Sequence, residues 1–490
     1  MRRLWDAARF KDAAWLYDDE SGKNPPLEAT FLRARIYLKH DDAPAAIRLL
    51  ERSPAGKGPL SARRAMLLGA AYAHGRNYSL ADEFFDFADT TARRIKAPEL
   101  ICDIAFYRAR RYAYERRPDA ARELLPLARS YGSESAQLRA LQLEGFILDQ
   151  EGRHREEARI LLELLRRIDP NGIEGMDIRA WATDTLAYLA RETYLPEALP
   201  EVERQLAGID WSPDLDDRRF QALKALGWAC ALRGDYFNAL RYLRLCSRKA
   251  TNDVGRAIAA AERAELLRCK GEQLWSRQEL AEAEEYAENI DWTTVRDDAR
   301  IGLLLLAELF VSIDPAKAAY YQARFSENED VKAPNLHLKG DPRLAALAQY
   351  SEGVVDLSSG HRKVGVESLK KALETFRKHG YDWRAGRCAL RLYEVTRDEA
   401  YMNLAHEHLR NYMSSWLGDE YRGLLSASPV RLPPMQQRVL EALCSGLTVP
   451  QIAQKFGRSQ HTIRNHIKPV FKAYGVNNRT ALIAKVAQGR

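Results

Sequence analysis

A spacing of small and bulky residues recurs between residues 34 and 372 of this 490-residue chain. A small residue is followed after three positions by tyrosine or another large residue, after nine more by alanine, and after four more by an apolar residue. Three clear copies begin at Ala34, Gly69 and Ala109. Small residues at fixed places let two antiparallel helices approach closely, while the large ones fill the space between them. The spacing therefore predicts consecutive helical hairpins.

Three further copies of the spacing follow, of which only the first is looser. They comprise Gly145, Leu148, Ala158 and Leu162; Gly227, Cys230, Ala239 and Leu243; and Gly353, Asp356, Gly365 and Leu369. We interpret the first of these as stretched by one residue. The segments 170–215 and 255–335 follow the spacing only weakly, and hairpins are assigned there by analogy.

The copies resemble tetratricopeptide repeats, which are helical hairpins with a usual period of about 34 residues. Tyr37, Tyr72 and Tyr112 lie 35 and 40 residues apart, so several connections are longer than that period. The resemblance covers residues 1–415. It implies an all-α solenoid of about ten antiparallel pairs without a β-sheet, in which hairpins contact only their neighbours and a concave surface serves recognition.

Positive charge is concentrated at the C-terminal end of the chain. Residues 430–490 contain ten Lys and Arg but a single acidic residue, Glu441, so the net charge of this segment is +9. The net charge of the whole chain is +7, so the preceding residues sum to −2. Such a concentration is typical of nucleic-acid-binding modules. The charge pattern indicates that the C-terminal segment binds nucleic acid.

Capping and turn residues in the same segment predict a helix, a tight turn and a second helix. Thr448 and Gln451 form a capping box at the start of the first helix, where Ala453 is small enough for close packing. Gly457 is suited to the positive φ of a short turn, and Ser459 is a good N-cap for the next helix. A helix-turn-helix is therefore expected here.

The second of these helices, predicted over residues 460–474, is amphipathic. At 100° per residue, its apolar positions are Ile463, Ile467, Val470, Phe471 and Tyr474. Its polar arc contains His461, Arg464, Asn465, Lys468 and Lys472. Arg and Lys donate to guanine and Asn bonds adenine in the major groove, so this helix is the expected recognition helix.

Residues 429–488 resemble the LuxR-type helix-turn-helix, which has four helices. The matching residues include Val439-Leu440, Gly446-Leu447, Ile452-Ala453, Thr462 to His466, Gly475-Val476 and Arg479-Thr480-Ala481. The resemblance implies that Arg464, Asn465 and Lys468 contact bases. Contacts with the DNA backbone are expected from Lys455, Arg458, Ser459, His461, Thr462, His466, Lys472 and Arg479. For Thr462, His466 and Arg479, the resemblance implies either such a contact or a scaffold role. The implied core of the motif is Ile452, Ala453, Gly457, Ile463 and Ile467, and a fourth helix over residues 478–487 serves dimerisation or packing.

Three positions depart from the family pattern. The first helix begins with Pro433 and Pro434 and so lacks a capping side chain, at a cost of about 1 kcal/mol. Gln451 replaces the usual acidic residue and keeps the cap without the charge. Pro469 lies inside the recognition helix and is expected to bend or loosen it at a cost of about 3 kcal/mol.

Nothing in the sequence indicates an enzyme, a metal site or a cofactor. There is no GxxxxGK[ST] or GxSxG motif, and His406 and His408 are spaced too closely to share a helix face. The six cysteines are scattered without a CxxC pair, which favours a reducing cytoplasm. The N-terminus lacks the apolar run of a signal peptide, and no apolar stretch is long enough to span a membrane.

The chain is accordingly divided into a tetratricopeptide-like solenoid, residues 1–425, and a LuxR-type DNA-binding domain, residues 426–490. The expected function is that of a sequence-specific transcriptional regulator whose solenoid binds an effector or partner protein. The alternative is a repeat scaffold that assembles proteins and is only weakly tethered to DNA. Double-stranded DNA, a second copy of the chain on DNA, and RNA polymerase are the other candidate partners.

Overall fold

The computed structural model describes residues 1–20, 25–130, 134–169, 175–193, 195–295, 297–326, 342–410, 412, 433–444, 446–473, 476, 478–479 and 481–482. Across these residues all regular secondary structure is helical and no strand occurs. The all-α prediction is confirmed. The predicted domain boundary near residue 426 lies outside the described residues.

Up to residue 412, the described chain forms twenty-two α-helices. They are α1 Arg2–Asp6, α2 Phe10–Glu20, α3 Leu27–Lys39, α4 Ala43–Arg52, α5 Pro59–His74, α6 Tyr78–Arg94, α7 Pro98–Tyr114, α8 Pro118–Ser130, α9 Glu134–Gln150, α10 His154–Arg167, α11 Met176–Glu192, α12 Leu199–Gly208, α13 Asp216–Leu232, α14 Tyr236–Lys249, α15 Asp253–Cys269, α16 Gln273–Glu288, α17 Asp297–Phe310, α18 Pro315–Ser326, α19 Pro342–Ser358, α20 Arg362–Lys378, α21 Asp382–Thr396 and α22 Glu399–Leu409.

From α3 to α22 the helices form ten successive pairs, each made of an odd-numbered inner helix and an even-numbered outer helix. Short connections inside the pairs, such as residues 75–77 between α5 and α6, make the two helices antiparallel. The pair α11/α12 is irregular, because the 3₁₀ turns Pro196–Ala198 and Pro213–Leu215 flank α12. This pair lies in one of the two segments that follow the spacing only weakly.

Close approach inside a pair depends on the small residue of the repeated spacing. A Cβ atom added to Gly69 would lie 2.8 Å from the ring of Phe85, sixteen residues later. One added to Gly227 would lie 2.9 Å from Leu243, again sixteen residues later. Real Cβ contacts are not this short, so the glycines set the distance between the paired helices.

The interpretation of the copy at Gly145 as stretched is wrong. Helix α10 begins at His154, and the connection before it is three residues long, as is the connection before α6. Glu157, not Ala158, therefore lies twelve residues after Gly145, as Ala81 lies twelve after Gly69. A glutamate stands here where Ala81 and Ala121 stand in earlier copies, so residue type alone places the spacing one residue too late.

Contacts also join hairpins that are far apart in sequence. Helix α1 and the start of α2 pack near residues 212–215, where the backbone N–H of Lys11 donates to Asp214 at 3.0 Å and the Ser212 hydroxyl donates to the Ala8 carbonyl at 2.9 Å. Farther on, α11 packs against α21, and His154 at the start of α10 donates to the carbonyl of His379, just after α20, at 2.6 Å. The expectation of contacts between neighbouring hairpins only is therefore wrong: the solenoid winds tightly enough for successive turns to touch.

Gly365 offers a direct test of the helix-packing argument. A Cβ atom there would lie 2.7 Å from the Gly353 carbonyl oxygen and 2.9 Å from Leu357. We expect Gly365→Ala to lower the free energy of unfolding by about 1–3 kcal/mol, because backbone atoms must move apart. Urea denaturation followed by circular dichroism measures the change.

Gly75→Ala is the matched control. Gly75 has a φ of −76° and its nearest neighbour to an added Cβ is 3.6 Å away, so alanine fits there. This variant should be as stable as the original protein or slightly more stable. Equal losses of stability in both variants would show that close backbone approach is not what Gly365 provides.

Candidate nucleic-acid interface and the inner cavity

The C-terminal part of the described chain contains three helices, α23 Pro434–Cys444, α24 Val449–Phe456 and α25 Gln460–Ala473. They share a small core in which Val439, Ile452, Ile463, Val470 and Leu482 are fully buried. This core fixes the angle between α24 and α25, and thus the direction in which α25 presents its outer face.

Local hydrogen bonds set the start of both helices of the motif. The Thr448 backbone N–H donates to Gln451 Oε1 at 2.8 Å, and the Thr462 N–H donates to Ser459 Oγ at 3.1 Å. Between the helices, Gly457 has a φ of 60°. Because that left-handed conformation strains other residues, glycine allows the short turn that the motif needs.

Helix α25 separates apolar from basic side chains. Ile463, Ile467 and Val470 face the core. The opposite side exposes His461, Arg464, Asn465, Lys468 and Lys472. These side chains can donate several hydrogen bonds to base edges and phosphates from one continuous surface, which we call the α25 basic face.

The remaining residues proposed to contact DNA lie in different environments. Lys455, Arg458 and Ser459 are exposed near the turn, whereas Thr462 and His466 are half-buried. Arg479 donates to the Leu443 carbonyl at 2.8 Å, which ties the segment after α25 to the end of α23. Of the two roles considered for Arg479, this bond favours the scaffold role over a DNA backbone contact.

One position in the motif differs from its sequence interpretation. Ile452 and Ala453 are buried, but Gly457, grouped with the motif core, is exposed in the turn. Pro469 is exposed, and α25 continues past it to Ala473. The helix therefore does not end at the proline, and the expected bend or loosening at Pro469 stays a prediction. Tyr474 and most of the expected fourth helix lie outside the described residues.

A second candidate site lies inside the solenoid, where inner helices from α9 to α21 surround a cavity of about 380 Å³. We call it the inner cavity. Its lining includes six Lys or Arg, six Asp or Glu and six aromatic side chains. A cavity of this size and mixed lining suits a small polar molecule that also carries an apolar or ring-shaped part.

Buried ion pairs join the walls of the inner cavity. Arg384 on α21 lies 3.1 Å from the fully buried Glu192 on α11. Arg387, one turn later on α21, lies 2.8 Å from Glu265 on α15. Burial raises the pKa of Glu265, but the guanidinium groups of Arg268 and Arg387 outweigh it and hold that pKa at about 2. Burial also raises the pKa of Glu192, but Arg384 and Arg191 outweigh it and hold that pKa below its ordinary value, so both carboxylates are charged at neutral pH.

Other titratable groups of the cavity are shifted mainly by burial. Burial raises the pKa of Glu308 and of the Tyr188 hydroxyl, and it lowers the pKa of the Lys224 ammonium. Glu157 shows the same effect, because burial and the nearby Asp149 raise its pKa well above the ordinary value. Such shifts in a cleft are typical of functional sites, although structural ion pairs also produce them.

Sequence analysis missed the inner cavity entirely. Its residues come from seven or more helices and reach from Arg116 to Arg387, so no local motif connects them. A usable sign was Glu157, a charged residue at a place where the other copies of the spacing carry a small one.

Comparison with known proteins identifies the C-terminal domain. Residues 431–486 match GerE, the luxR family of bacterial regulatory proteins. These residues are a LuxR-family helix-turn-helix domain, and they follow a helical repeat solenoid. No curated protein matches the chain.

Among solved structures, the chain is similar to one titled "Crystal structure of APC/C hetero-tetramer Cut9-Hcn1", with 16% identity, 98% of this chain and 88% of that chain covered, and a TM-score of 0.37. At this level the similarity supports no conclusion about function. No helix in the described part of the chain is both long and apolar enough to cross a membrane.

Proposed function

We propose that this protein is a sequence-specific DNA-binding transcriptional regulator whose solenoid binds an effector. The observation that supports it most is the α25 basic face, exposed on a LuxR-family domain. Arg464, Asn465 and Lys468 contact base edges in this proposal. Lys455, Arg458 and Lys472 contact the phosphate backbone and supply affinity that does not depend on sequence.

The regulator acts on DNA as a pair of copies. One α25 helix reads a half-site, and a useful specificity requires two half-sites spaced by about one turn of DNA. RNA polymerase is a further partner that a transcriptional regulator of this kind would contact.

The effector occupies the inner cavity in this proposal. Its lining of charged and aromatic groups and its volume of about 380 Å³ favour a small molecule over a protein segment. Because the cavity lies where two turns of the solenoid meet, a bound molecule would contact both turns and change how they are held together. Effector binding would thereby alter the pairing or the DNA access of the C-terminal domain.

Selection from a random duplex library with the full-length protein tests the DNA function. We expect enrichment of a two-fold symmetric site whose half-site centres lie about one DNA turn apart. The protein should protect that site in footprinting. Affinity for it should fall linearly with salt on logarithmic axes.

The same experiment distinguishes this proposal from the alternative, a protein-assembling scaffold. A scaffold with a weak DNA tether would enrich no sequence, coat DNA without a defined footprint and dissociate at modest salt. That result would remove sequence-specific regulation as the function.

A further inference from the structure

The fourth residue of the outer helix is small in most hairpins of the solenoid. It is Ala46 in α4, Ala81 in α6, Ala121 in α8, Ala239 in α14, Ser276 in α16, Ala318 in α18 and Gly365 in α20. Helices α12 and α22 carry the apolar Val202 and Met402. In α10 the residue is Glu157, the one charged side chain at this position among the ten outer helices described.

Glu157 is completely buried, and its Oε1 atom has no hydrogen-bond partner. Burying a carboxylate without compensation is costly, since it loses its hydration. A small residue at this place serves packing in seven other hairpins, so packing does not explain a glutamate. Departures from a local rule of this kind are expected at functional sites.

Two further side chains with atoms that can bind a metal ion lie next to Glu157. His154 Nδ1 lies 3.4 Å from Glu157 Oε2 and 3.8 Å from Asp149 Oδ1. One ligand atom from each of the three residues lies within 4.8 Å of the others. Two ligands bound at about 2.0–2.1 Å to a tetrahedral ion lie about 3.3 Å apart, close to the shorter of these separations.

The hydrogen bond of the other imidazole nitrogen fits a ligand role. His154 Nε2 lies 2.6 Å from the carbonyl oxygen of His379, so Nε2 carries the proton and donates. In the neutral ring this leaves the Nδ1 lone pair directed at the two carboxyl groups. Histidines that bind metals commonly donate their second nitrogen to a carbonyl or carboxylate in this way.

We propose that Asp149, His154 and Glu157 bind a divalent transition-metal ion in the wall of the inner cavity. One imidazole nitrogen and two carboxylates suit Zn²⁺ and ions that substitute for it, such as Co²⁺. Asp149 and Glu157 both line the cavity, so a bound ion would lie beside its interior. The ion would also be linked, through His154 and the His379 carbonyl, to the next turn of the solenoid. The proposal does not depend on the DNA-binding function.

The test uses the full-length protein freed of metal by a chelator and titrated with Co²⁺ and with Zn²⁺. Visible absorption of Co²⁺ reports the coordination, and calorimetry reports the Zn²⁺ stoichiometry. We expect one ion per chain at this site. Glu157→Gln and Asp149→Asn should each weaken binding by about 10–100-fold. Glutamine keeps a side chain of the same shape beside His154 and removes only the charge.

Asp184→Asn is the matched control, because Asp184 also lines the cavity but lies 3.3 Å from Arg218 instead of near His154. It should bind Co²⁺ as the original protein does. If Glu157→Gln does not fold, Asp149→Asn alone provides the test, because Asp149 is half-exposed and its replacement disturbs packing less. The proposal fails if the original protein binds no ion with defined stoichiometry, or if folded Glu157→Gln or Asp149→Asn binds as tightly as Asp184→Asn.

Discussion

Replacing Arg384 by alanine is expected to lower the free energy of unfolding of the solenoid by about 3 kcal/mol. Glu192 is fully buried, and Arg384 lies 3.1 Å from it across two turns of the solenoid. Removing one partner of a buried pair leaves the other charge without compensation, which costs about 3–5 kcal/mol. We expect the lower end, because Arg191 remains 3.5 Å from Glu192.

Arg391→Ala is the control on the same helix. Arg391 pairs with Glu394 at 2.8 Å, but both side chains are about one quarter exposed and three residues apart on α21. A pair of this kind contributes about 0–1 kcal/mol. Both variants are compared by urea denaturation with circular dichroism as the readout.

The double variant Glu192→Ala/Arg384→Ala separates lost attraction from the burial of an unpaired charge. It should recover part of the stability lost by Arg384→Ala, since no carboxylate is then left uncompensated. A loss below 1 kcal/mol for Arg384→Ala would show that the contact between the two turns does not hold the solenoid together.

The second large effect concerns DNA. Arg464→Ala is expected to weaken binding to the selected site by about 1–3 kcal/mol while leaving binding to unrelated DNA nearly unchanged. The reason is that Arg464 lies exposed on the α25 basic face, where a guanidinium can form two hydrogen bonds to one guanine. Fluorescence anisotropy with both duplexes at the same salt concentration measures the two affinities.

Lys455→Ala gives the contrasting pattern. Lys455 is exposed near the end of α24, away from the α25 basic face, so its expected contact is with phosphate. Its loss should weaken binding to both duplexes alike and reduce the slope of log affinity against log salt by about one. If Arg464→Ala also weakened both duplexes equally, the base contact assigned to Arg464 would be wrong.

The hairpins could be predicted from sequence because one physical requirement repeats. Two helices that touch need a small residue at a fixed distance from a large one, as at Gly69 and Phe85. The α25 faces were predictable for a similar reason, since the periodicity of a helix assigns Ile463 and Arg464 to different sides. Both inferences use residues close together in the chain.

The features that sequence analysis missed depend on distant residues. The contact of His154 with His379 spans 225 positions, and it exists only because small rotations between successive hairpins add up over the solenoid. No single hairpin encodes that sum. The register around Glu157 was missed for a local reason. The spacing identifies this position by a small residue, and here the residue is a glutamate.

The pair between Glu192 and Arg384 also has a consequence for synthesis on the ribosome. The two residues are 192 positions apart, so α11 is complete long before α21 exists. At about 5–20 residues per second, the carboxylate of Glu192 waits roughly 10–40 s for Arg384 to be made. During that time the first half of the solenoid exposes a surface designed to be covered by the second half. Chaperone binding to the nascent chain should therefore be strongest between completion of α11 and completion of α21.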